Sequence, residues 1–517
     1  GIADFLLGLP ARYSQSTGSI QRQRDRALFV YAMDDWKARP NLTINIGLRY
    51  ELDAPTTDER DGVIVFRPGA RSVIHPEAPV GVLFPGDPDP VLGRVPRGAY
   101  KTDYNNLAPR LGLAFAPEAK RGWLGRVLGD GKTTIRAGFG MFYAPTYGLS
   151  FTFFSPIFRT GIERFVRGEG TFANPFGSSP NPFPISPGDF SSRSNTSLHT
   201  FDPAFETAYT LHYNLTIQRE LPGQIMFEMA YVGNNSFHTD REIELNFSRT
   251  GKRRYPQFFD IGVQESTGRA RYDSFQLRVS RRMIRGLMLD GSYVYAKGLD
   301  NSSGPLSLDE GSFFDQPNDT NPHLWARSAF DRRHNLVISY VYDLPFKKES
   351  GLIGLIAGGW RVGGVTQIRS GPPMDLFSSD FLASNSNTLD VIGPYRRLDP
   401  KQEQTIIIDG RPVTGHFFFD PRAFREAPLL RRGVPRRRGT LGRNVFDGPG
   451  LNETSISLAK RTPLVRAHEI EIRADILNLF NQVNFFPPER ETFDEEFGQV
   501  FFTRPARRIQ LSLRYRF

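Results

Sequence analysis

The 517-residue chain contains no cysteine. This absence excludes disulfide bonds, zinc–thiolate sites and cysteine nucleophiles together. The chain also lacks any run of about 18 apolar residues, so no transmembrane helix is predicted. Its most apolar stretch, residues 351–360, is too short and too rich in glycine. Neither property excludes a membrane β-barrel, because barrel strands need only about 9–11 residues and are apolar on one face.

Motifs for catalysis and for metal or phosphate binding are missing as well. The eight histidines show no metal-ligand spacing. Gly138-Phe-Gly140 lacks the third glycine of a phosphate-binding loop and lies inside a predicted strand. No Gly-x-Ser-x-Gly nucleophile elbow is present, and the acidic stretch from Asp300 to Asp319 does not follow the EF-hand pattern. We therefore predict no enzyme, no cofactor and no metal site, with loop-bound calcium left open.

Positive charge exceeds negative charge, with 65 Lys and Arg against 55 Asp and Glu, a formal charge of +10. Such a balance raises nucleic acid as a partner. The densest basic run falls in a long predicted loop, where solvent or the phosphates of lipopolysaccharide are the expected contacts. That run consists of Arg431, Arg432, Arg436, Arg437 and Arg438. We predict no nucleic-acid partner, and outer-membrane lipid and lipopolysaccharide instead.

Alternation of apolar and polar residues is the dominant pattern, and it is clearest in the last ten residues. A strand places such alternating residues on opposite faces. The apolar face ends on an aromatic residue that is also the last residue of the chain. It consists of Ile509, Leu511, Leu513, Tyr515 and Phe517. This pattern resembles the final strand of a bacterial outer-membrane β-barrel, which acts as the barrel-insertion signal.

The same period-two signal predicts thirteen strands along the chain. They cover residues 26–37, 42–52, 107–117, 131–144, 205–220, 224–234, 271–283, 286–297, 332–344, 360–371, 452–461, 467–481 and 508–517. Short and long connections alternate without exception. Periodicity alone does not separate a soluble sandwich from a barrel, but outer-membrane barrels have short periplasmic turns and long extracellular loops. We therefore predict an all-β fold, an antiparallel transmembrane β-barrel in the outer membrane of a Gram-negative-type bacterium.

Aromatic residues follow the predicted topology. Three of the four tryptophans lie near the short turns and five tyrosines lie toward the long loops, as two interfacial girdles would require. They are Trp36, Trp123 and Trp360 at the first end, and Tyr50, Tyr143, Tyr209, Tyr231 and Tyr295 at the second. With periplasmic short turns, Phe517 ends in the periplasm. Thirteen is an odd number, whereas single-chain bacterial barrels have even numbers of strands. Either an odd number of further strands is expected upstream, or the count of thirteen differs from the true number by one.

Several segments together resemble the TonB-dependent transporters, specifically their Oar-like branch. They include Asn106-Leu-Ala-Pro-Arg-Leu-Gly112, Tyr272-Asp-Ser-Phe-Gln-Leu277, Asp331-Arg-Arg-His-Asn335, Gly439-Thr-Leu-Gly-Arg-Asn444 and Asn478-Leu-Phe-Asn481. The resemblance implies a barrel of twenty-two strands behind an N-terminal plug. Residues 1–517 are then expected to be the C-terminal part, about 13 of the 22 strands, without plug or regulatory-like domain. The plug and a TonB-type energising complex become expected partners.

Arginines recur on the polar side of the predicted strands. They are Arg49, Arg110, Arg136, Arg278, Arg361, Arg369, Arg473 and Arg514, which we predict to face the lumen. One interpretation is that they pair with carboxylates of the lumen or plug, such as Glu51, Asp290, Asp343, Glu471 and Asp475. The other is an electropositive channel wall that favours anionic solutes. Pairing is the simpler interpretation, because a plug fills such a lumen.

Energised uptake of an unidentified substrate through a plugged barrel is the leading functional hypothesis. The main alternative is a structural or adhesion barrel whose extracellular loops bind partners. A passive porin and a soluble lectin-like sandwich are further possibilities. An upstream plug and TonB box would favour transport, and an empty lumen with anion conductance would favour a porin.

Overall fold

The structure is a computed structural model. It describes residues 5–9, 12–16, 22–118, 122, 125, 128–129, 131–144, 161–165, 170–178, 196–246, 253–303, 325–346, 356–376, 389–428, 439–464, 468–492 and 496–517. The described chain is built almost wholly from β-strands, which confirms the all-β prediction. In these residues no helix has the length and apolar character needed to cross a membrane.

One antiparallel sheet dominates the molecule, and its strands follow chain order from one edge to the other. We number them β1 Gln23–Arg39, β2 Leu42–Asp58, β3 Leu107–Phe115, β4 Thr133–Ala144, β5 Ala208–Leu221, β6 Ile225–Glu244, β7 Phe258–Ile284, β8 Leu287–Asp300, β9 His334–Asp343, β10 Trp360–Arg369, β11 Leu451–Pro463, β12 Glu469–Leu477 and β13 Arg508–Arg516. The predicted thirteen strands are thereby confirmed. Among the described residues β1 and β13 form the two edges of this path, so the barrel is not closed.

Connections alternate between two ends of the sheet, as predicted. At the short-turn end lie the connections after β1, β3, β5, β7, β9 and β11, and at the long-loop end those after the even-numbered strands. The β7–β8 turn shows why a short connection is possible: Arg285 and Gly286 both have positive φ, 49° and 80°. Two successive residues in that region form a type I′ turn, whose twist matches the twist of the flanking strands.

The β6–β7 hairpin is longer than predicted. β6 has 20 residues and β7 has 27, whereas alternation had suggested that β7 begins near residue 271. The pairing continues beyond Phe237 through two register shifts on either side of Thr239. Each such bulge reverses the face on which later residues lie, so the period-two signal is interrupted although the strands continue.

β12 is shorter than predicted, because it ends at Leu477 and not within Asn478-Leu-Phe-Asn481. Asn478 and Asn481 have φ values of 52° and 51°. Asparagine tolerates this left-handed region, which regular strand backbone does not adopt. The buried Asn478 amide accepts from the Gln482 backbone N–H at 2.9 Å and donates to the Gln482 carbonyl at 2.9 Å. The motif therefore closes a turn that leads the chain away from the sheet.

The long loops carry further short strands. The paired segments are Val65–Phe66 with Val82–Leu83, Pro88–Asp89 with Gly93–Arg94, Pro373–Met374 with Phe446–Asp447, Asp390–Val391 with Phe424–Arg425, Gln404–Ile408 with Arg411–Gly415, and Arg12–Ser16 with Gly161–Phe165. Thr196–Phe201 adds to β7 in parallel, and Ala326–Arg327 pairs with the end of β8. Asp420 caps a 3-10 turn at Pro421–Ala423.

These loops pack into two caps at the long-loop end. Cap 1 joins residues 59–106, Thr196–Phe201 and the outer parts of β6 and β7 through two apolar clusters, one around Phe66 and Phe258 and one around Val65, Leu83 and Phe201. Cap 2 joins the described parts of residues 372–450 and 482–505 around Phe418, Phe419 and Phe424. The sequence had suggested irregular loops here. Their core residues stand in short consecutive runs, such as Val63–Phe66 and Phe417–Phe419. These runs lie within Pro- and Gly-rich chain and are too short to produce a periodic signal.

Candidate functional site

The two faces of the sheet differ sharply in chemistry. Residues directly opposite each other on neighbouring strands share a face, so the pairing registers trace each face from β1 to β13. The face that contains Ile509, Leu511, Leu513 and Tyr515 also contains Ile472, Leu458 and Val362. We call it the apolar face, and the opposite one the polar face.

All eight predicted arginines lie on the polar face. Arg473 pairs in register with Ser512, Arg361 with Asp343, and Arg110 with Gly140. The same tracing places Arg49, Arg136, Arg278, Arg369 and Arg514 on that face. The five carboxylates named with them, Glu51, Asp290, Asp343, Glu471 and Asp475, share it too. Whether this face lines a lumen remains a prediction.

Four of these arginines form ion pairs with those carboxylates. The nitrogen–oxygen distances are 2.8 Å for Arg49–Glu51, 2.8 Å for Arg278–Asp290, 2.9 Å for Arg361–Asp343 and 2.8 Å for Arg473–Asp475. Glu471 pairs with Arg461, at 2.7 Å, a residue not among the eight. Arg514 lies directly opposite Glu471. Charge on the polar face is thus largely compensated by neighbours on the same strand or the next.

Arg110 has an aromatic partner. Its guanidinium lies over the Phe142 ring, 4.4 Å from the centroid. Gly140, opposite Arg110, leaves room for that ring, because a Cβ there would come within 2.8 Å of Phe142. Gly140 therefore has a packing role on the polar face, in agreement with the absence of a phosphate-binding loop.

The apolar face carries aromatic residues at both ends. Trp36 and Trp360 lie on it at the short-turn end, and Trp123 lies outside the described residues. The five predicted tyrosines, Tyr50, Tyr143, Tyr209, Tyr231 and Tyr295, lie on it toward the long loops. Such belts mark the two interfaces of a bilayer.

The last strand presents its apolar residues outward. Exposed fractions are 63% for Ile509, 76% for Leu511, 73% for Leu513, 53% for Tyr515 and 90% for Phe517. Tyr515 stacks on Phe517 at 5.9 Å, and its hydroxyl lies 2.7 Å from His468 Nδ1. An exposed strand of this kind suits lipid or recognition by another protein, which agrees with the predicted insertion signal but does not test it.

A buried polar network joins cap 2 to the ends of β8 and β9. Arg443 forms an ion pair with Asp300, and their side chains are only 11% and 4% exposed. Arg443 also donates to Ser303 Oγ at 3.2 Å. Asp331 accepts the Gly298 backbone N–H at 2.8 Å. Two of the family-like segments, 331–335 and 439–444, therefore lie together at the long-loop end of the sheet, which we call the rim.

Asn444 and Asp375 complete the network. Asn444 donates its side-chain amide to the Arg327 carbonyl at 2.8 Å and its backbone N–H to Asp375. The second carboxylate oxygen of Asp375 is buried without a hydrogen-bond partner in the described part of the chain. Burial raises the pKa of Asp375, although the Asn444 N–H opposes the shift. This network locks cap 2 onto the sheet, and sequence reasoning missed it because its members are as much as 143 residues apart.

Three further predictions concern metal binding, the basic run and the acidic stretch, and the described residues cover them only in part. Within the described ranges no three His, Asp or Glu side chains group so as to hold a metal ion. The basic run from Arg431 to Arg438 and most of the acidic stretch after Asp300 lie outside the described residues. Asp300 itself is used by Arg443.

A family model described as "Outer membrane beta barrel domain" matches residues 1–510. No curated protein sequence matches the chain.

Several solved outer-membrane proteins are similar to the chain. The ferripyoverdine receptor of Pseudomonas aeruginosa is 9% identical, with 96% of this chain and 39% of that chain covered and a TM-score of 0.43. The outer membrane transporter YddB from Escherichia coli is 11% identical, with 95% and 54% covered and a TM-score of 0.44. The siderophore receptor PiuA from Acinetobacter baumannii is 9% identical, with 95% of this chain and 43% of that chain covered and a TM-score of 0.43. The chain spans about half the length of these proteins, or less.

Proposed function

The chain belongs to the outer membrane beta barrel domain family, and from this premise we propose that it forms the barrel wall of a TonB-dependent receptor of the Oar-like branch. In this proposal the long loops are extracellular. A plug seats against the polar face, and a TonB-type complex moves the plug so that a substrate passes. Lipid and lipopolysaccharide contact the apolar face.

One observation carries the proposal: a continuous polar face with compensated charge lies behind a continuous apolar face. Every outer-membrane barrel needs a polar interior face, but ion pairs repeated from β2 to β12 favour a face that another protein part covers. A plug domain with its own charged surface does need such a face, because polar groups buried between plug and wall must be paired. The family-like segments along the chain support the same interpretation.

Orientation is tested by single cysteines in the full-length protein on intact cells. Glu403→Cys lies on an exposed loop of cap 2, and Pro222→Cys lies in the exposed β5–β6 turn. An impermeant maleimide should label the first and leave the second unlabelled until the outer membrane is opened. Equal labelling of both sites on intact cells would refute the proposed orientation.

Energised transport is tested separately from orientation. Full-length protein extracted from membranes should retain the purified periplasmic domain of the organism's TonB-type protein, and removal of the segment upstream of the barrel should abolish this. If the full-length protein never binds that domain, while its loops still hold a surface partner, the structural or adhesion barrel is favoured.

A further inference from the structure

A cavity of about 570 Å³ opens at the long-loop end of the polar face, between β10, β11 and cap 2. Its size falls within the range of small-molecule sites, about 300–1,000 Å³. Three lining residues are basic: Arg369 at the end of β10, and Arg397 and Lys401 in cap 2. Gln482 and the backbone around Asn452 also line the cavity.

Positive charge exceeds negative charge in this cavity, with three cations against one carboxylate, Asp399, among the described lining residues. In the part of the chain that the structure describes, none of Arg369, Arg397 and Lys401 forms an ion pair. Asp399 is exposed, and its carboxylate accepts the Lys401 backbone N–H at 3.1 Å. An excess of cations creates a local positive potential that attracts anions.

Arg369 differs in this respect from its neighbours on the polar face. Arg361, at the other end of the same strand, pairs with Asp343 at 2.9 Å. Arg369 faces Asn335 on one side and Leu451 on the other, neither of which carries a charge. Arg361 is thus compensated by a carboxylate on the neighbouring strand, whereas Arg369 has no charged residue opposite it where the strand opens into the cavity.

Arg397 is held in place by the core of cap 2. Its guanidinium lies 4.6 Å from the centroid of Phe418, a ring that is only 1% exposed. Stacking of this kind fixes the plane of a guanidinium and leaves its N–H fork free to bind. Across the cavity, Asn484 exchanges hydrogen bonds with the Asn452 backbone at 2.8 and 3.0 Å. The cavity is thus walled by groups whose own positions are fixed.

We propose that this cavity binds the anionic group of a small organic solute, a carboxylate, phosphate or sulfate, through Arg369, Arg397 and Lys401. Guanidinium forks suit such planar or tetrahedral oxyanions. The inference rests on the proposed function, because it gives the substrate class for the same polar face. The cavity lies on the face opposite the lipid-contacting one, which favours a free solute over a lipid headgroup.

The test measures binding of two probes, citrate and inorganic phosphate, to the full-length protein in detergent by calorimetry at low salt. At least one probe should bind saturably at one site. Arg369→Gln and Arg397→Gln should each weaken that binding about tenfold or more. Arg397→Lys, which keeps the charge, should lose less than Arg397→Gln. Arg396→Gln is the matched control, because Arg396 is adjacent, exposed and outside the cavity lining, and it should change binding less than about twofold.

Three results would overturn the proposal. The first is no saturable binding of either probe to correctly folded wild-type protein, with folding checked by heat-modifiable gel migration. The second is equal weakening by Arg396→Gln, which would mean unspecific attraction. The third is displacement of the probe by purified lipopolysaccharide, which would assign the cavity to a headgroup. Failure of the transport proposal would look different: the TonB-type domain would not bind, while probe binding would be unaffected.

Discussion

The thirteen-stranded sheet, here called the wall, exposes its apolar side chains, whereas the two caps bury theirs. On the apolar face of the wall, Leu111 is 53% exposed and Leu215 is 47% exposed. In cap 1, Leu83 is 0% exposed and Phe201 is 2% exposed. In the outer membrane the wall meets lipid, so its apolar side chains need no protein cover, whereas the caps meet water and must bury theirs. Apolar side chains of the same chain are therefore exposed in the wall and buried in the caps, and the boundary between the two regions is the rim.

Ion pairs show the same contrast. The wall pair Arg278–Asp290 has side chains that are 56% and 38% exposed, whereas those of the rim pair Arg443–Asp300 are 11% and 4% exposed. Exposed pairs contribute little to stability, while a buried pair that loses one partner leaves an uncompensated charge. Substitutions should therefore have different consequences in the two regions.

The largest effect is expected inside cap 1. Phe201→Ala removes a ring that packs 5.1 Å from Tyr100 and 5.5 Å from Phe205. Loss of a buried aromatic ring costs about 3–5 kcal/mol, which we expect as a local opening of the cap while the sheet remains folded. Hydrogen exchange should show lost protection at Val65 and Leu83, and the control Phe275→Ala, on the apolar face, should leave both protected. Global unfolding of the sheet by Phe201→Ala would contradict the separation of the two regions.

The rim pair comes next. Arg443→Met leaves Asp300 buried without its cation, which should destabilise the attachment of cap 2 by about 3 kcal/mol. The matched substitution Arg278→Met should cost less than about 1 kcal/mol, because that pair is exposed. Limited proteolysis of cap 2, with urea unfolding of the sheet in parallel, measures both. Similar losses for the two variants would remove the distinction between rim and wall.

A smaller effect is expected when an arginine is introduced on one or the other face of the wall, at the same depth in the membrane. Leu277 and Gln276 are neighbours on β7 and lie on the apolar and polar faces respectively. Leu277→Arg should destabilise the membrane-inserted protein by about 2 kcal/mol, the cost of a cation facing lipid, and Gln276→Arg by much less. Urea titration of the full-length protein in lipid vesicles compares them. The reverse order would mean that the faces are wrongly assigned.

The smallest effect is a pH dependence at the rim. Because burial raises the pKa of Asp375, the folded state binds its proton more readily than the unfolded state, whose pKa is about 3.9. Stability should therefore fall as pH rises from that value through the folded-state pKa, and acidification from neutral pH should tighten the rim. Exchange of the Asn444 amide should slow accordingly, and Asp375→Asn should flatten the profile. An unchanged profile in Asp375→Asn would assign the effect to another group.

The strands of the wall could be predicted from sequence, because the pattern that specifies them involves residues close together in the chain. Alternation of apolar and polar residues along one strand, as in Ile509 to Phe517, indicates which side chains meet lipid. The alternation of short and long connections indicates the topology. Even the ion pairs were accessible, since Arg49 and Glu51 or Arg473 and Asp475 are two residues apart on one face.

The caps and the rim could not be predicted, because their contacts join distant parts of the chain. Phe66 donates its backbone N–H to Thr200 across 134 residues, and Arg443 reaches Asp300 across 143. Neither contact leaves a periodic trace. The segment 439–444 was recognisable as family-like, but only the structure shows that it is the link between cap and wall. The cavity between β10 and cap 2 escaped prediction for the same reason.

The unusual length of β7 has one more consequence, which concerns height above the membrane. Of its 27 residues, a bilayer occupies about 11. The remaining 16 or so, at about 3.3 Å each, extend at most about 50 Å further. In the proposed orientation the outer parts of β6 and β7, which pack in cap 1, stand above the membrane surface. They belong to the two longest described strands of the sheet, so bacteriophages, antibodies and neighbouring cells would meet them ahead of the shorter strands.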